Sequence, residues 1–352
     1  MDFICFFGTF LKVFRASGVV EGRKPLPGEG GRDGDRDAGF DDFGFKKIFT
    51  IDRTAQKKVL ITGANSFIGT SFEAWAHEYY PENFEIDILD LHKDSWRDWD
   101  FSVYDVVFHV AGIAHADVGN VSNEAKTLYY NVNTHLAEET AQMARRAGVR
   151  QFIFMSSMII YGESHVRGER ITKDTVPCPA NFYGDSKWQA DRGVRALQTE
   201  DFKVAVLRPP MVYGRGCRGN YPLLARLAKR LPVFPDFDNE RSMLYIDNLT
   251  EFLCLLMLTG EGGIFFPQNA EYTRTADMVQ MIARTSGRRL SATRLLNPAV
   301  ALALHIPGKI SGLAHKAFGN MAYDQEISRY EGLDYQKVSL EQSIQDMERK
   351  TG

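Results

Sequence analysis

The chain has 352 residues, enough for one large domain or two closely packed lobes with a sizeable core. With 44% hydrophobic and 25% charged residues it resembles a soluble globular protein, and its net charge of −3 gives no reason to expect a nucleic-acid partner. Its cysteines, Cys5, Cys178, Cys217 and Cys254, lack C-x-x-C spacing, so they indicate neither a zinc site nor a disulfide framework and fit a reducing cytoplasm.

Residues 1–57 differ in composition from the rest of the chain. Residues 3–14 are apolar, but a helix that spans a bilayer needs about 20 residues. Residues 22–44 alternate glycine with Asp and Arg, a composition that does not order itself. We expect a disordered or non-native leader, with a membrane-touching anchor as the alternative, and a fold that begins near Lys57.

Residues 58–69, KVLITGANSFIG, read as a strand, a tight turn and the start of a helix. Such a helix start binds a pyrophosphate, because its unpaired backbone N–H groups face the anion. Gly63 would close the turn, and Gly69 would let the helix, from Phe67 onward, lie near the strand. The alternative is an ordinary glycine turn, since the spacing is T-G-x-x-S-x-x-G rather than G-x-G-x-x-G.

Strands and helices then alternate along the chain. Apolar runs predict strands at residues 84–89, 105–110, 151–155 and 202–207, and helical spacing predicts helices at 125–147 and 186–199. This alternation is typical of an α/β protein with a doubly wound parallel sheet that carries helices on both faces.

The pattern becomes irregular after Pro209. We predict a helix at 221–230, a loop at 231–240, a strand at 242–246, a helix at 249–258 and a strand at 264–267. We therefore expect a nucleotide-binding domain of residues 58–210, completed by 242–267, and a smaller, mostly helical substrate-binding lobe of 211–241 and 268–352. Residues 295–313 are apolar but contain Pro298 and Pro307, so we assign them to the core of that lobe and expect no membrane insertion.

Asp90 follows the second predicted strand, about 20 residues after the glycine turn. A carboxylate at this point can accept hydrogen bonds from both hydroxyls of an adenosine ribose, and it would repel a 2′-phosphate. This favours NAD over NADP. The alternative is an aspartate that caps the following turn.

Tyr183 and Lys187 are four residues apart, so on a helix they share one face. A tyrosine with a pKa of about 10 is a poor base at neutral pH, but a nearby ammonium group together with a cationic nicotinamide ring should lower that pKa. Ser156 and Ser157 end the fourth strand, where a hydroxyl can polarise a carbonyl group. A surface tyrosine with a solvated lysine, and serines that only cap the strand, are the alternatives. His109 lies in an apolar run, and we interpret it as a core histidine with its hydrogen bonds satisfied.

Several further motifs stand in the order of one known family. They are Thr62 to Gly69, Asp90, HVAG from His109, NVNT from Asn131, SSMIIYG from Ser156, Tyr183 with Lys187, LRPPMVYG from Leu207, GNYPLL from Gly219 and NERSMLYIDNL from Asn239. From about Lys57 to about Glu348 the chain thus resembles an extended short-chain dehydrogenase/reductase of the NAD-dependent epimerase/dehydratase family. Within that family it is similar to bacterial UDP-glucose 4-epimerase-like proteins and 4-keto UDP-sugar reductases, and the implied sheet is Rossmann-type.

The resemblance implies roles for the matching residues. Those expected to bind the cofactor are Gly63, Asn65, Ser66, Phe67, Ile68, Gly69, Asp90, Ala111, Gly112, Asn131, Tyr183, Lys187 and Pro210. Ser157, Tyr183 and Lys187 would be catalytic, and Ser157, Asn220 and Arg241 would contact the substrate, with the arginine on its diphosphate. No metal site is expected, and a homodimer follows by analogy.

The same resemblance implies chemistry on a UDP-sugar. Where related 4,6-dehydratases carry an acidic pair this chain has Met158 and Ile159, which disfavours dehydration, and Met211 replaces a substrate-binding asparagine. We favour NAD-dependent 4-epimerisation of a UDP-hexose, with UDP-glucose first, through a 4-keto sugar. The alternatives are an NAD(P)H-dependent reductase of a 4-keto UDP-sugar in polysaccharide biosynthesis and a non-catalytic cofactor-binding sensor or scaffold, although Ser157, Tyr183 and Lys187 are all intact.

Overall fold

A parallel sheet of six strands is the centre of the part of the chain that this computed structural model describes, residues 48–113, 122–162, 167–306 and 309–349. Its strands run in the order β2, β1, β3, β4, β5 and β9. The strands of the described chain are β1 (Lys57–Thr62), β2 (Phe84–Leu89), β3 (Val106–His109), β4 (Gln151–Met155), β5 (Lys203–Leu207), β6 (Met211–Tyr213), β7 (Val233–Pro235), β8 (Met243–Tyr245), β9 (Gly263–Phe265) and β10 (Ser291–Thr293). The order reverses beside β1, so the carboxyl ends of β1 and β3 border a crevice in which such sheets bind ligands. The predicted doubly wound fold is confirmed.

Ten α-helices accompany these strands in the described residues. They are α1 (Phe67–Tyr79), α2 (Asn123–Tyr130), α3 (Leu136–Arg146), α4 (Phe182–Arg195), α5 (Asn220–Arg230), α6 (Ile246–Thr259), α7 (Thr275–Thr285), α8 (Asn297–His305), α9 (Lys309–Phe318) and α10 (Leu340–Glu348). A π-helical turn, Asn131–His135, joins α2 to α3, so the single helix predicted over residues 125–147 is interrupted. The helix predicted from residue 186 begins earlier, at Phe182, because the side chain of Asn181 accepts a hydrogen bond from the amide of Gly184 at 3.0 Å.

The strands after Pro210 divide between two structures. β9 extends the main sheet by pairing with β5, as predicted for that segment. β8 instead pairs in parallel with β6, in register from Met211 opposite Met243, and β7 pairs with β10. β7 lies inside the segment predicted to be a loop. These short pairs lie outside the main sheet and carry the chain into the helical C-terminal part.

One apolar core joins the sheet to the C-terminal helices. It includes Val59 of β1, Phe72 of α1, Leu253 of α6, Val279 of α7 and Ile344 of α10, all of which are fully buried. α6 packs against α1, and its Glu251 accepts hydrogen bonds from Trp75 at 3.1 Å and Tyr80 at 3.0 Å. The predicted domains therefore share their hydrophobic interior.

The fold begins before Lys57, which corrects the predicted boundary. Phe49 is 4% exposed, and its ring lies 6.2 Å from that of Phe265 and 6.1 Å from that of Tyr330. Its amide donates to the carbonyl of Glu331 at 2.8 Å. An isolated phenylalanine gives no periodic signal in the sequence, which explains the error. Residues 1–47 of the expected leader lie outside the described residues.

The assignment of residues 295–313 to the core is only partly right. Ala299, Val300 and Ala303 are buried, but Leu295 is 86% and Leu302 is 63% exposed. Among the described helices none combines the length and apolarity that a bilayer span requires.

Candidate active site

The turn after β1 has the backbone that a close-fitting phosphate loop needs. Gly63 has φ of +126°, and a Cβ there would lie 2.7 Å from the amide nitrogen of Ala111. Asn65 has φ of +59°, in the left-handed region that asparagine tolerates. A Cβ at Gly69 would meet Ile61 and Val110 at 3.2 Å, so this glycine lets α1 pack closely on the sheet.

Ser66 occupies the position where the related turn usually has glycine. It is the N-cap of α1, and its Oγ accepts a hydrogen bond from the amide of Gly69 at 3.2 Å. Phe67 and Ile68 are the first two residues of the helix and are half-buried. Serine in place of glycine therefore caps the helix through the amide of Gly69. The amides of Phe67 and Ile68 remain the first of the helix, next to the turn.

Asp90 follows β2 directly and is exposed. Its Oδ1 lies 2.5 Å from Nδ1 of His92 and accepts a hydrogen bond from the His92 amide at 3.0 Å. The hydrogen bond from the His92 side chain, and to a smaller extent the one from its backbone amide, lower the pKa of the Asp90 carboxyl. Asp90 is therefore ionised at neutral pH. Asp90 therefore caps the turn that follows β2, as the alternative interpretation expected. Its carboxylate is nevertheless exposed at the end of the strand.

Ser157 and Tyr183 meet at the carboxyl end of β4. The Ser157 hydroxyl lies near enough to the Tyr183 oxygen to lower the pKa of the phenol, and Ser157 Oγ accepts from the amide of Ile159 at 3.3 Å. Gly184 allows this approach, since a Cβ there would lie 3.0 Å from the carbonyl oxygen of Ile159. Burial, and then the neighbouring Tyr129, raise the pKa of Tyr183 to about 12.

Lys187 lies one helical turn from Tyr183 and is 6% exposed. Its Nζ donates to the carbonyl of Met155 at 3.0 Å and lies 5.2 Å from the centre of the Phe154 ring. Burial lowers the pKa of Lys187 to about 8. In the protein alone, burial of the phenol outweighs the lowering of its pKa by Ser157, and the expected lowering depends also on the charge of a nicotinamide ring.

Gly112 borders the ammonium group of Lys187. A Cβ at Gly112 would lie 2.9 Å from Lys187 Nζ and 3.1 Å from Asn133 Oδ1, so any larger residue would press on both. Ala111 precedes it, and its amide donates to the carbonyl of Thr62 at 2.8 Å. The ends of β1, β3 and β4 and the face of α4 thus converge around Lys187.

Asn133, rather than the predicted Asn131, faces this region. Asn131 is exposed, whereas Asn133 is 1% exposed. The Asn133 side chain accepts from the amide of Ile113 at 2.8 Å and donates to Ser186 Oγ at 3.1 Å. The π-helical turn changes which residues face inward, and interruptions of this kind are frequent at functional sites. Two asparagines inside a helical segment were the signal in the sequence, but their spacing did not show which one turns inward.

A buried ionic network lies behind the site, and the sequence analysis missed it. Asp191 is one turn beyond Lys187 on α4 and accepts hydrogen bonds from Arg208 Nε and Nη2, both at 2.9 Å. Ser156 Oγ donates to Asp191 at 2.8 Å, so this serine is committed to the network while Ser157 is turned to the site. Burial opposes ionisation of Asp191, but Arg208 and Arg195 lower its pKa overall. The network attaches α4 to the ends of β4 and β5.

His109 is fully buried, as expected, but only one of its ring nitrogens has a partner. Nδ1 lies 2.8 Å from Thr62 Oγ1, whereas Nε2 has none among the described residues. Burial, and then the charge of Lys187, lower the pKa of His109 to about 3. The ring is therefore neutral at physiological pH.

The residues expected at the substrate and nicotinamide side lie farther along the chain. Pro210 is buried after β5, and Asn220 is the half-buried first residue of α5. Arg241 Nη1 donates to the carbonyl oxygen of Lys316 at 2.9 Å, at the end of α9. Burial lowers the pKa of Arg241 to about 10. The arginine is held in place by one nitrogen of its fork.

Residues 59–265, more than half of the chain, match the NAD dependent epimerase/dehydratase family. The chain belongs to that family. Its members include epimerases, dehydratases and reductases, and their sheet binds NAD(P). The buried or half-buried Met158 and Ile159 stand in place of an acidic pair beside Ser157.

Two curated relatives of this epimerase/dehydratase chain act on sugars attached to a diphosphate, by their names. UDP-glucose 4-epimerase of Vibrio cholerae is 29% identical over 254 residues, which cover 66% of this chain and 77% of the relative. N-acetyl-alpha-D-glucosaminyl-diphospho-ditrans,octacis-undecaprenol 4-epimerase of Escherichia coli O157:H7 is 29% identical over 214 residues, 55% of this chain and 61% of the relative.

Solved structures share the fold at lower identity. UDP-glucuronic acid 4-epimerase from Bacillus cereus, in complex with NAD, has a TM-score of 0.59 and 17% identity, over 82% of this chain and 98% of its own. The dTDP-4-dehydrorhamnose reductase from Bacillus anthracis, in complex with NADP, has a TM-score of 0.60 and 18% identity. The match covers 84% of this chain and 100% of the reductase. At this identity the likeness shows the fold.

Proposed function

We propose that the protein is an NAD-dependent 4-epimerase of a UDP-hexose, with UDP-glucose as the favoured substrate. The observation that carries this proposal is the approach of the Ser157 hydroxyl to the Tyr183 phenol, with the buried Lys187 one helical turn away. It brings a proton-transferring phenol and a hydroxyl donor to the carboxyl edge of the sheet, where this fold binds its ligands.

The residues around the first turn fit a dinucleotide. A Cβ at Gly63 or at Gly112 would obstruct the edge of the sheet, and the amides at the start of α1 suit a pyrophosphate. The exposed carboxylate of Asp90 suits a ribose with free hydroxyls, which supports NAD over NADP. When bound, NAD supplies a hydride acceptor and donor and the positive charge that favours a phenolate.

Tyr183 takes the proton of the sugar's 4-hydroxyl group and later returns it. Ser157 donates its hydroxyl hydrogen to the oxygen that gains negative charge, which is either the phenolate or the sugar oxygen. Lys187, fixed by Met155, provides a nearby ammonium group. Asn133 holds the backbone of Ile113 beside this group, and we propose that it lies next to the cofactor, where the sequence analysis expected Asn131.

Asn220 and Arg241 are the proposed ligands of the substrate diphosphate. The arginine presents a fork that matches phosphate oxygens, and one of its nitrogens is already held by the end of α9. A half-anchored guanidinium loses less side-chain entropy when it binds a phosphate.

The test replaces Tyr183 with Phe and measures interconversion of UDP-sugars in the presence of NAD. We expect kcat to fall about 10²- to 10⁴-fold, because general acid–base catalysis typically contributes that much. The panel should include UDP-glucose, UDP-N-acetylglucosamine and, following the name of the E. coli relative, a polyprenyl-diphosphate sugar. Tyr79→Phe is the matched control, since Tyr79 is 54% exposed on α1. Unchanged turnover in Tyr183→Phe would exclude the assignment.

A 4-keto sugar reductase is the second candidate, because Met211 replaces an asparagine expected in the epimerases and GDP-6-deoxy-D-mannose reductase of Pseudomonas aeruginosa is 26% identical over 250 residues. The two reactions use the same catalytic residues. They differ in the cofactor balance, which absorbance of NADH or NADPH reports. Stoichiometric loss of the reduced cofactor on addition of a 4-keto sugar would favour the reductase, and interconversion of two sugars without loss would favour the epimerase.

A further inference from the structure

The loop that connects β6 to α5 leads directly to Asn220, the proposed ligand of the substrate diphosphate. It consists of residues 214–219, and we call it the β6–α5 loop. It begins beside the turn after β1, since a Cβ at Gly214 would lie 3.2 Å from the ring of Phe67. It ends at Gly219, whose φ of +98° favours glycine. Glycine restrains the backbone less than other residues do, so the position of Asn220 depends on what holds the two ends of this loop.

The first end of the β6–α5 loop is attached to α10. Tyr213, the last residue of β6, is fully buried, and its hydroxyl lies 2.7 Å from Ser343 Oγ of α10. Arg215, two residues later, donates a hydrogen bond from Nη2 to the carbonyl of Asp346 at 2.6 Å. The ring of Tyr213 also stacks on that of Tyr221, with 5.7 Å between their centres. One side chain thus contacts both α10 and the first turn of α5.

A buried carboxylate of α10, that of Glu348, holds the other end of the loop. The Glu348 side chain is 6% exposed, and its Oε1 accepts a hydrogen bond from the Tyr221 hydroxyl at 3.1 Å. Its Oε2 lies 2.5 Å from Nζ of Lys229, about two helical turns farther along α5, and accepts from Ser286 Oγ, just after α7, at 3.4 Å. The two oxygens of one carboxylate therefore attach both ends of α5 to α10.

These contacts orient the start of α5. Burial, and then the charge of Glu348, raise the pKa of Tyr221 well above its usual range, so the phenol keeps its proton and remains a donor. Tyr221 directly follows Asn220, and the helical backbone fixes the two residues relative to each other. Gly219 has no side chain that could cap α5, and the first turn contains no acidic residue, so its amides are suited to an anion. A phosphate bound by Asn220 would therefore also depend on the direction in which α5 points.

We propose that Glu348 is a positioning residue for the substrate diphosphate, which acts through Tyr221 and Lys229 to fix the start of α5 and with it Asn220. The inference rests on the proposed function, because it takes the diphosphate of a UDP-sugar as the ligand of Asn220. A carboxylate would repel a diphosphate, and the Glu348 oxygens are engaged by α5 and by Ser286, so the effect passes through the helix. Groups that hold a binding residue in its productive orientation contribute to affinity without touching the ligand.

A purely structural role of Glu348 predicts a different result. If Glu348 only stabilised the packing of α5, α7 and α10, its replacement would lower the free energy of unfolding and the fraction of active protein. It would leave the Kd and the KM of the folded protein unchanged, because neither depends on how much of the protein is active. The effect on KM relative to that on kcat therefore separates the two roles.

The test measures the Kd of UDP by isothermal titration calorimetry and the kinetics of UDP-glucose interconversion with NAD, in the wild type and in Glu348→Gln. We expect the Kd and the KM to rise about tenfold, because a hydrogen bond to a charged group is replaced by a weaker neutral one. The kcat should change by less than about twofold, since Glu348 contacts α5 and Ser286 whereas the catalytic tyrosine and lysine lie on α4.

Two further variants separate the two ends of α5. Tyr221→Phe keeps the ring that stacks on Tyr213 but removes the hydrogen bond to Glu348, and it should raise the KM nearly as much as Glu348→Gln does. Lys229→Met removes the contact at the far end of α5 and should raise the KM less. Tyr221→Phe combined with Glu348→Gln should raise the KM no further than Glu348→Gln alone, because both changes remove the same interaction.

Glu341→Gln is the matched control, because it makes the same change at an exposed position of α10. It should bind UDP as the wild type does. Equal Kd and KM values in the wild type and Glu348→Gln, or a loss of kcat alone, would overturn this inference and leave the proposed reaction standing. A wild type that binds no UDP would overturn it together with the proposed substrate.

Discussion

Lys187 is the residue on which burial has its clearest chemical effect. It is 6% exposed, and burial alone lowers its pKa to about 8 from the ordinary 10.5. The protonated lysine therefore opposes folding below pH 8, where both the folded and the unfolded chain carry the charge. Between about pH 8 and 10.5 the unfolded chain binds the extra proton, so stability rises with pH in that window.

We expect this effect to appear in a comparison with Lys187→Met. The free energy of unfolding of the wild type, relative to the variant, should rise by about 2 kcal/mol between pH 7 and pH 9.5. Urea unfolding at the two pH values measures it. Lys126→Met, at an exposed position on α2, is the control, and its difference from the wild type should be the same at both pH values. If the difference in unfolding free energy between the wild type and Lys187→Met were the same at both pH values, the ammonium group would be better solvated than its burial indicates.

The sequence predicted which residues come together at this scale better than it predicted their protonation. The spacing of Tyr183 and Lys187 and the position of Ser157 were sufficient to bring these three near one another. Their pKa values depend on the surrounding apolar atoms, such as the Phe154 ring, and these come from distant parts of the chain. The inward position of Asn133 was not predicted for a similar reason, because the π-helical turn is a property of the packed helix.

Helix α4 organises the site because one face of it carries Tyr183, Lys187 and Asp191 in successive turns. The first contacts Ser157, the second holds the end of β4, and the third binds Arg208 after β5. A shift of this helix would disturb all three contacts together. The ionic contact is therefore the one to remove in order to test how the helix is held.

We expect Asp191→Asn to destabilise the protein by about 3–5 kcal/mol, because it removes the buried carboxylate charge that two nitrogens of the fully buried Arg208 bind. Denaturant unfolding monitored by circular dichroism measures this loss. Glu326→Gln provides the comparison, since Glu326 and its partner Arg329 are 68% and 71% exposed, and its unfolding curve should match the wild type. Equal effects of both changes would show that the buried network contributes no more than a surface pair.

Most of the elements of the main sheet were predictable because buried parallel strands are short apolar runs between turns. The ends of the helices and the short strand pairs were harder to predict from the sequence. The cap of α4 depends on the side chain of Asn181, and the strand pair β6 and β8 brings together residues about 30 positions apart. Pairing between such short segments leaves no periodic signal in the sequence.

At the scale of the whole molecule, the described fold includes residues before β1. Phe49 lies in an aromatic cluster with Phe265 and Tyr330. The start of the described chain therefore packs on core residues that come from the last third of the sequence. The sequence analysis placed the boundary at Lys57 because the preceding composition is polar and irregular. A single buried ring was sufficient to move it.

We expect Phe49→Ala to lower the free energy of unfolding by about 3–5 kcal/mol, the usual cost of removing a buried phenylalanine ring. Ile48→Ala is the matched control at the adjacent position. Ile48 is 65% exposed, and its replacement should leave the midpoint of thermal unfolding unchanged. If the melting curves of Phe49→Ala and Ile48→Ala were indistinguishable, the residues before β1 would not contribute to the stable fold.

The pairing of β9 with β5 limits how the chain can be divided. β9 and α6 come from residues beyond 245, yet they complete an edge and a face of the sheet that the first 210 residues begin. A recombinant fragment that stops at Pro210 would have an open strand edge at β5 and bare apolar side chains on α1, both of which favour aggregation. The two predicted parts are therefore not interchangeable modules, and a chimera with a relative should exchange β9 and α6 together with the N-terminal part.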